Sequence, residues 1–305
     1  MVSSTNGAVG PVAIGGVGGS GTRVTAAMVE SLGFDPGPSR NEALDDLTFI
    51  ALFKRPNDYR DVSGLIPADH PAALAATRVF ASVRSGGRRP VADVLPMVRA
   101  SITLPSNESS PGLSIGFASM GNRVSRLRRL PAVFGRRPPD APPWMWKEPN
   151  TLFFLPTLFD GIPGLRYIHV VRNGLAMATS SNKYQLDNWG HLFDVRRGGR
   201  PRDVRQLLYW ARANLAVAEL LAGRPHSSLI VSHERTVTDP QAVADEIAAF
   251  LGSPVTDRTR PVIDEVRAPS DFGRTFDVPV DALSSAELAE VEGALGRFGY
   301  DGSRG

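Results

Sequence analysis

Pro11-Val12-Ala13-Ile14-Gly15-Gly16-Val17-Gly18-Gly19-Ser20-Gly21-Thr22-Arg23 joins an apolar run to a glycine-rich turn. The residues after the turn have helical spacing. Val24, Ala27, Met28, Ser31 and Leu32 fall on one face, and Gly33 ends the pattern. A glycine turn between a strand and a helix N-terminus binds anions. Its backbone N–H groups converge, glycine lets the main chain approach, and the helix dipole favours negative charge. This stretch therefore predicts a phosphate-like ligand near the start of the chain.

Working outward, apolar β-rich runs alternate with amphipathic ones. Trp144-Met145-Trp146 reads as a short strand, followed by a helix through Leu152–Phe159. Arg166–Val171 is the clearest strand and runs into Arg172-Asn173-Gly174 and a helix from about Leu175 to Tyr184. A long amphipathic helix carries Val204, Leu207, Leu208, Ala211, Leu215, Ala218 and Leu221 or Ala222. Ser228–Val231 is a further strand. Asp239-Pro240 caps and opens a helix with Val243, Ile247, Phe250 and Leu251. Ser284 and Glu287 form a capping box for the last helix. Shorter helices are expected over Asp69–Phe80 and Val91–Ala100, and a strand over Leu113–Phe117. Thr48–Phe53 fits either a strand or a buried helix. Alternation of this kind predicts an α/β fold, a three-layer sandwich around a mostly parallel P-loop-type sheet. Its ligand belongs at the C-terminal strand ends, where the glycine loop and Arg172 both emerge.

The chain has 305 residues, room for one large α/β domain. We expect a flexible arm over 1–10, one domain over 11–300 with a basic proline-rich loop at about 123–143, and a tail over 301–305. The absence of cysteine excludes disulfides, Cys-based metal sites and thiol catalysis. No apolar run has the length of a membrane span, and no signal peptide is visible, so a cytoplasmic location is expected. The net charge of +3 fits an anionic ligand and is no argument for a nucleic-acid partner. Lys54, Lys147 and Lys183 stand alone against 31 arginines, which fall partly in basic loops at Arg84–Arg89, Arg123–Arg137 and Arg196–Arg202.

The loop by itself admits three ligands. Gly16-x-Gly18-x-x-Gly21 matches the dinucleotide fingerprint, but Asp35-Pro-Gly-Pro-Ser-Arg40 is no strand to carry the ribose-binding acid. Gly16-x-x-x-x-Gly21 also frames a Walker A loop, in which Thr22-Arg23 stands where Lys-Ser/Thr is needed. The third reading joins Ser20-Gly21-Thr22 to the strand Tyr167–Val171, ending in Arg172 with Ser180 eight residues on. Lys147-Glu148-Pro149 precedes Arg172 by about 25 residues. Ser232-His-Glu-Arg-Thr-Val-Thr-Asp239-Pro240 leads to Phe250-Leu251-Gly252.

In this order the four motifs resemble the sulfotransferase family, whose members use 3′-phosphoadenosine 5′-phosphosulfate (PAPS). The resemblance covers most of the chain. It implies that Gly18, Gly19, Ser20, Gly21, Thr22 and Arg23 hold the 5′-phosphosulfate and that Arg172 and Ser180 hold the 3′-phosphate. It also implies PAPS as co-substrate with no metal, and a small-molecule or glycan acceptor. The sequence departs from the family at Gly19, where many members have a lysine, and at Pro149, where cytosolic members have a histidine base. Lys147 is then the first choice for the cation, with Lys54 second and Arg23 a further candidate. Glu148 is the first choice for the base, with His191 and His233 in reserve. The alternatives are a nucleotide-dependent kinase or NTPase, and a non-catalytic nucleotide- or polyanion-binding module on the same scaffold.

Overall fold

The computed structural model describes residues 10–86, 138, 140–195, 199–270, 272–273 and 276–300. Among these, four strands make one parallel sheet in the order β2-β1-β3-β4. They are β1 (Val12–Gly16), β2 (Met145–Lys147), β3 (Arg166–Val171) and β4 (Ser228–Ser232). Ile14 pairs with Lys147 on one side and Ile168 on the other, while Gly16 pairs with Val170. Glu148, the glycine loop and Arg172 therefore leave the sheet side by side.

The period-two alternation of strand side chains sorts the core into two faces. Val12, Ile14, Met145, Ile168, Val170 and Val231 pack on one side against α1 (Thr22–Ser31), α9 (Pro240–Leu251) and α10 (Thr259–Asp264), through Met28, Ile247 and Ile263. Ala13, Trp146, Tyr167 and Val171 face the other way, into an aromatic-rich layer. That layer is built from α2 (Leu47–Phe53), α3 (Pro71–Ser85), α4 (Leu155–Gly161), α7 (Arg202–Ala222) and α11 (Ser285–Arg297). Phe49, Phe53, Phe80, Phe154, Trp146 and Trp189 stack or meet edge-on there. Full burial of such side chains stabilises by roughly 1.5–3 kcal/mol each. The fold is thus the expected three-layer α/β sandwich with a parallel sheet. No described helix is long and apolar enough to cross a membrane.

Several local expectations are decided, corrected or met. Thr48–Phe53 is helical: Asp46 caps α2 by accepting the Phe49 N–H at 2.8 Å, and the apolar run is buried on one side of the sheet rather than within it. The helix expected over Leu175–Tyr184 is two short ones, α5 (Gly174–Thr179) and α6 (Tyr184–Trp189). Thr179, Ser180, Ser181 and Asn182 stand at the break. Thr179 Oγ1 bonds back to the Ala176 carbonyl, and Ser180 Oγ accepts the Asn182 N–H. Such side chains compete with the helix ladder. The segment after Glu148 starts as a 3₁₀ turn, Pro149–Phe154, before α4. The Asp69–Phe80 helix starts at Pro71 and runs on to Ser85, so Arg84 belongs to α3 and not to a basic loop. Arg84 is buried and donates to the backbone carbonyls of Asp35 and Met145. The capping box at Ser284 is present. The arm over 1–9, the Val91–Ala100 helix, the Leu113–Phe117 strand, the 301–305 tail and most of the 123–143 loop lie outside the described residues.

Candidate functional site

The turn after β1 is shaped by glycine. Gly19 (φ +98°) and Gly21 (φ +91°) both take the left-handed conformation, which costs an L side chain about 1–2 kcal/mol. A Cβ on Gly16 would come 2.4 Å from the Val170 carbonyl oxygen, and one on Gly21 would come 2.2 Å from His233 Nδ1. The Ser20 N–H closes the turn on the Val17 carbonyl at 3.0 Å. The Gly18 N–H donates to Gln185 Oε1 at 2.8 Å. The N–H groups of Gly19, Gly21, Thr22 and Arg23 find no acceptor among the described residues. Ser20 is 1% exposed, and its Oγ has no hydrogen-bond partner among the described residues. A buried hydroxyl and four N–H donors at a helix start form a cradle for an anion. The Arg23 side chain is exposed, so its contribution to the cradle is its N–H.

Arg172 lies at the rim of this cradle, its Nη1 3.4 Å from the Gly19 carbonyl oxygen. Its backbone is held from three sides. Trp210 of α7 donates its indole N–H to the Arg172 carbonyl at 2.9 Å. Glu234, at the start of α8 (His233–Thr238), accepts the Asn173 N–H at 2.9 Å and the Tyr300 hydroxyl at 2.6 Å. Asn173 Oδ1 accepts the Leu175 N–H at 2.9 Å and caps α5. Gly174 is required here, because a Cβ would come 2.5 Å from the Trp210 ring. Ser180 ends α5, and the segment it belongs to folds over the loop: Cβ positions at Gly19 and Gly18 would lie 3.9 Å from Asn182 and 3.6 Å from Gln185.

Glu148 occupies the neighbouring strand end. It is 1% exposed. Its Oε2 accepts the Asn150 N–H at 2.6 Å, its Oε1 accepts Asn150 Nδ2–H at 2.8 Å, and Lys54 Nζ stands 3.9 Å from Oε1. Burial pushes its carboxyl up to about 7 against the pull of Lys54, with Asp45 adding to the rise and Lys147 and the Asn150 N–H opposing it. Such a carboxyl is poised to exchange a proton near neutrality. Lys54, at the end of α2, also lies over the Tyr184 ring at 4.3 Å.

Lys147 is placed differently. Its ammonium donates to Asp45 Oδ1 at 2.5 Å and to the Ala43 carbonyl at 2.9 Å. The turn that presents both acceptors passes through Leu44 at φ +64°, a left-handed conformation unusual for leucine. Of the reserve bases, His233 packs against Gly21 beside the cradle. His191 is spent elsewhere, with Nε2 3.2 Å from the Tyr59 carbonyl oxygen. Lys183 pairs with Asp203.

Beneath the loop, Asn214 donates to the Trp210 carbonyl, so its Oδ1 accepts from His169 Nε2–H at 2.8 Å. His169 Nδ1 then accepts the Tyr167 hydroxyl at 2.9 Å. Burial lowers the His169 pKa to about 4. Among the described residues, no cluster of three or more His, Cys, Asp or Glu side chains could hold a metal.

The structure thus brings the loop, Arg172, Glu148 and Lys54 to one edge of the sheet. Sequence reasoning missed Gln185, Trp210, Glu234 and Tyr300 as parts of the site because their partners are distant in the chain, and Asn150 because its two bonds to nearby Glu148 leave no periodic trace. Only Glu234 carried a signal, in the Ser232–Pro240 segment.

The sheet, the glycine-rich turn after β1 and the arginine after β3 define a parallel three-layer α/β protein. Within that class, the model of the sulfotransferase family matches residues 11–257, and the chain belongs to that family. None of the curated protein sequences compared with it matches. Among solved structures, the sulfotransferase domain from the curacin biosynthetic pathway is similar over 95% of this chain and 98% of its own, at 13% identity and a TM-score of 0.52. The sulfotransferase domain of the Synechococcus PCC 7002 olefin synthase is similar over 96% of each chain, at 15% identity and a TM-score of 0.47. Sulfotransferase STF1 from Mycobacterium tuberculosis H37Rv is similar over 95% of this chain and 76% of its own, at 15% identity and a TM-score of 0.43.

Proposed function

We propose that this chain transfers a sulfuryl group from 3′-phosphoadenosine 5′-phosphosulfate to a hydroxyl or amine of a small-molecule or glycan acceptor. The observation that carries this reading is the pairing of two anion-holding elements. One is the cradle of N–H donors with the buried Ser20 hydroxyl, which has no partner among the described residues. The other is Arg172, braced against Gly19 at the cradle's rim. A nucleotide with anionic groups at two ends suits such a pair. Neutral donors at the start of α1 suit the phosphosulfate, and the guanidinium fork of Arg172 with the Ser180 hydroxyl suits the 3′-phosphate. A single phosphate would leave one element without a task.

The donor, when bound, supplies sulfur already attached to a phosphate leaving group. The chain supplies position and charge, as in other in-line group transfers. Glu148 takes the proton of the acceptor hydroxyl as the new oxygen–sulfur bond forms. Lys54 is the cation we assign to the charge that develops on the leaving oxygen. Lys147, committed to Asp45 and Ala43, supports the strand end as a fixed counter-charge to Glu148.

Calorimetry with 3′-phosphoadenosine 5′-phosphate (PAP) tests the reading. Micromolar binding is expected, and absence of binding at high micromolar concentration refutes it. Glu148→Gln is expected to lower turnover by about 10²–10⁴-fold while leaving PAP affinity within a few-fold of the parent.

A further inference from the structure

The amide side chains between the loop and Glu148 carry an inference beyond the transfer reaction. Gln185, in α6, is 5% exposed and Asn150 2% exposed. Asn150 gives both its backbone N–H and its Nδ2–H to Glu148, which fixes its amide orientation and turns Oδ1 toward Gln185. Gln185 Nε2–H donates to that Oδ1 at 3.0 Å and lies 3.4 Å from the Gly16 carbonyl oxygen. Gln185 Oε1 is thereby aimed at the loop, where it accepts the Gly18 N–H at 2.8 Å and the Tyr209 hydroxyl at 3.4 Å. Flipping either amide would set donor against donor and acceptor against acceptor. Every bond in the chain points the same way, from Gly18 N–H toward the carboxylate.

We propose that Gln185 and Asn150 form a buried relay through which Gly18 in the anion loop registers the protonation state of Glu148. Both are positioning residues. The polar neighbours that the described residues give Glu148 are donors: Lys54 Nζ, Asn150 N and Asn150 Nδ2. A proton on Glu148 removes the charge that strengthens those bonds and sets an O–H against a donor. Asn150 must then give up a bond or swivel, and a swivel takes the partner of Gln185 Nε2 away. The Gly18 N–H bond weakens in turn. The charged groups facing Glu148 are Lys54 at the end of α2, Asp45 in the turn before it and Lys147 on β2. Tyr209 of α7 faces Gln185 and stays protonated, because burial holds its phenol well above the ordinary value. The consequence for a transferase is that the loop is best braced when the base is ionised. This consequence rests on the proposed function; the relay itself does not.

The test follows the Gly18 amide by ¹H–¹⁵N NMR on the full chain between pH 5.5 and 8.5, with the Glu148 carboxyl followed by ¹³C. The Gly18 shift is expected to move with the midpoint of Glu148. The response should vanish in Glu148→Gln, and also in Gln185→Leu although Glu148 still titrates there. Gln185→Glu keeps an acceptor for Gly18 but offers Asn150 no donor, so Glu148 should titrate at higher pH with Gly18 still bonded. If Gln185→Leu fails to fold, Asn150→Ala carries the same expectation. A Gly18 shift that is flat in the parent, or that still follows Glu148 without the relay, overturns the proposal. In parallel, PAP affinity at pH 8 should fall about tenfold in Gln185→Leu, the effect of one lost loop hydrogen bond. A parent protein that binds no PAP refutes the sulfotransferase reading and leaves the NMR result to decide the relay.

Discussion

Turnover should rise with pH through the Glu148 titration, and the position of that limb is set by Lys54. The carboxyl is pushed from 4.5 up to about 7, chiefly by burial. With that value about a tenth of the molecules carry ionised Glu148 at pH 6 and about nine-tenths at pH 8, a roughly tenfold difference in rate. An ordinary glutamate would leave the rate flat across that range. Lys54 Nζ lies 3.9 Å from Oε1 and lowers the value. One positive charge at that distance contributes about 1 kcal/mol in a water-like medium and about 4 kcal/mol at an effective dielectric near 20. Lys54→Met should therefore move the acid limb upward by roughly one to three pH units, whatever it does to the maximal rate. The assay is PAP release from PAPS against a panel of hydroxyl acceptors, from pH 5 to 9. Titration of the ¹³C-labelled Glu148 carboxyl gives a reading independent of the acceptor. A parent rate flat down to pH 5, or a Lys54→Met limb that stays put or moves down, refutes the assignment of Glu148 and its charge environment.

Arg172→Ala should weaken PAP binding by about 10- to 150-fold, the loss of a charge-assisted contact of roughly 1.5–3 kcal/mol, and should scarcely affect a ligand without the 3′-phosphate; equal losses by calorimetry would place Arg172 elsewhere. Gly21→Ala combines a left-handed φ of +91° with a Cβ 2.2 Å from His233 Nδ1. It should lower the melting temperature and PAP affinity together, and a parent-like protein would contradict the loop geometry. Stability offers a third check. Glu148 titrates higher folded than unfolded, so below about 4.5 its contribution is fully present, and it is lost as pH rises toward 7. His169 has the opposite sign: its folded value of about 4 gives stability that is present above 6.5 and lost as pH falls. The unfolding free energy of the parent, measured with urea and referred to that of Glu148→Gln, should fall by roughly 3 kcal/mol between pH 4.5 and 7. Parallel curves would mean that Glu148 titrates normally.

The glycine loop, the strand ending at Arg172, the caps at Asp239 and Ser284 and the three-layer architecture were legible in the sequence. Each is local: period-two and period-3.6 patterns, left-handed glycines and capping side chains act within a few residues. The family resemblance followed from the same motifs taken in order. The chain order could not say what the side chains at the strand ends touch. Lys147 and Glu148 are adjacent in sequence, yet their side chains meet different partners. Lys147 meets the carboxylate and carbonyl of the turn through Leu44, while Glu148 is closed in by Asn150 and Lys54. Helix or strand for Thr48–Phe53 was undecidable because an apolar run buries equally well in either form, and only the Asp46 cap and the aromatic layer against the sheet decide it. Gln185 reaches Gly18 across 167 residues, a contact with no periodic trace. The sequence alone determined where the glycine-rich turn joins strand to helix. Tertiary packing decided which cation faces Glu148, how burial shifts its carboxyl, and what braces the Pro11–Arg23 loop, since those depend on charge and dielectric set by residues brought together only by folding.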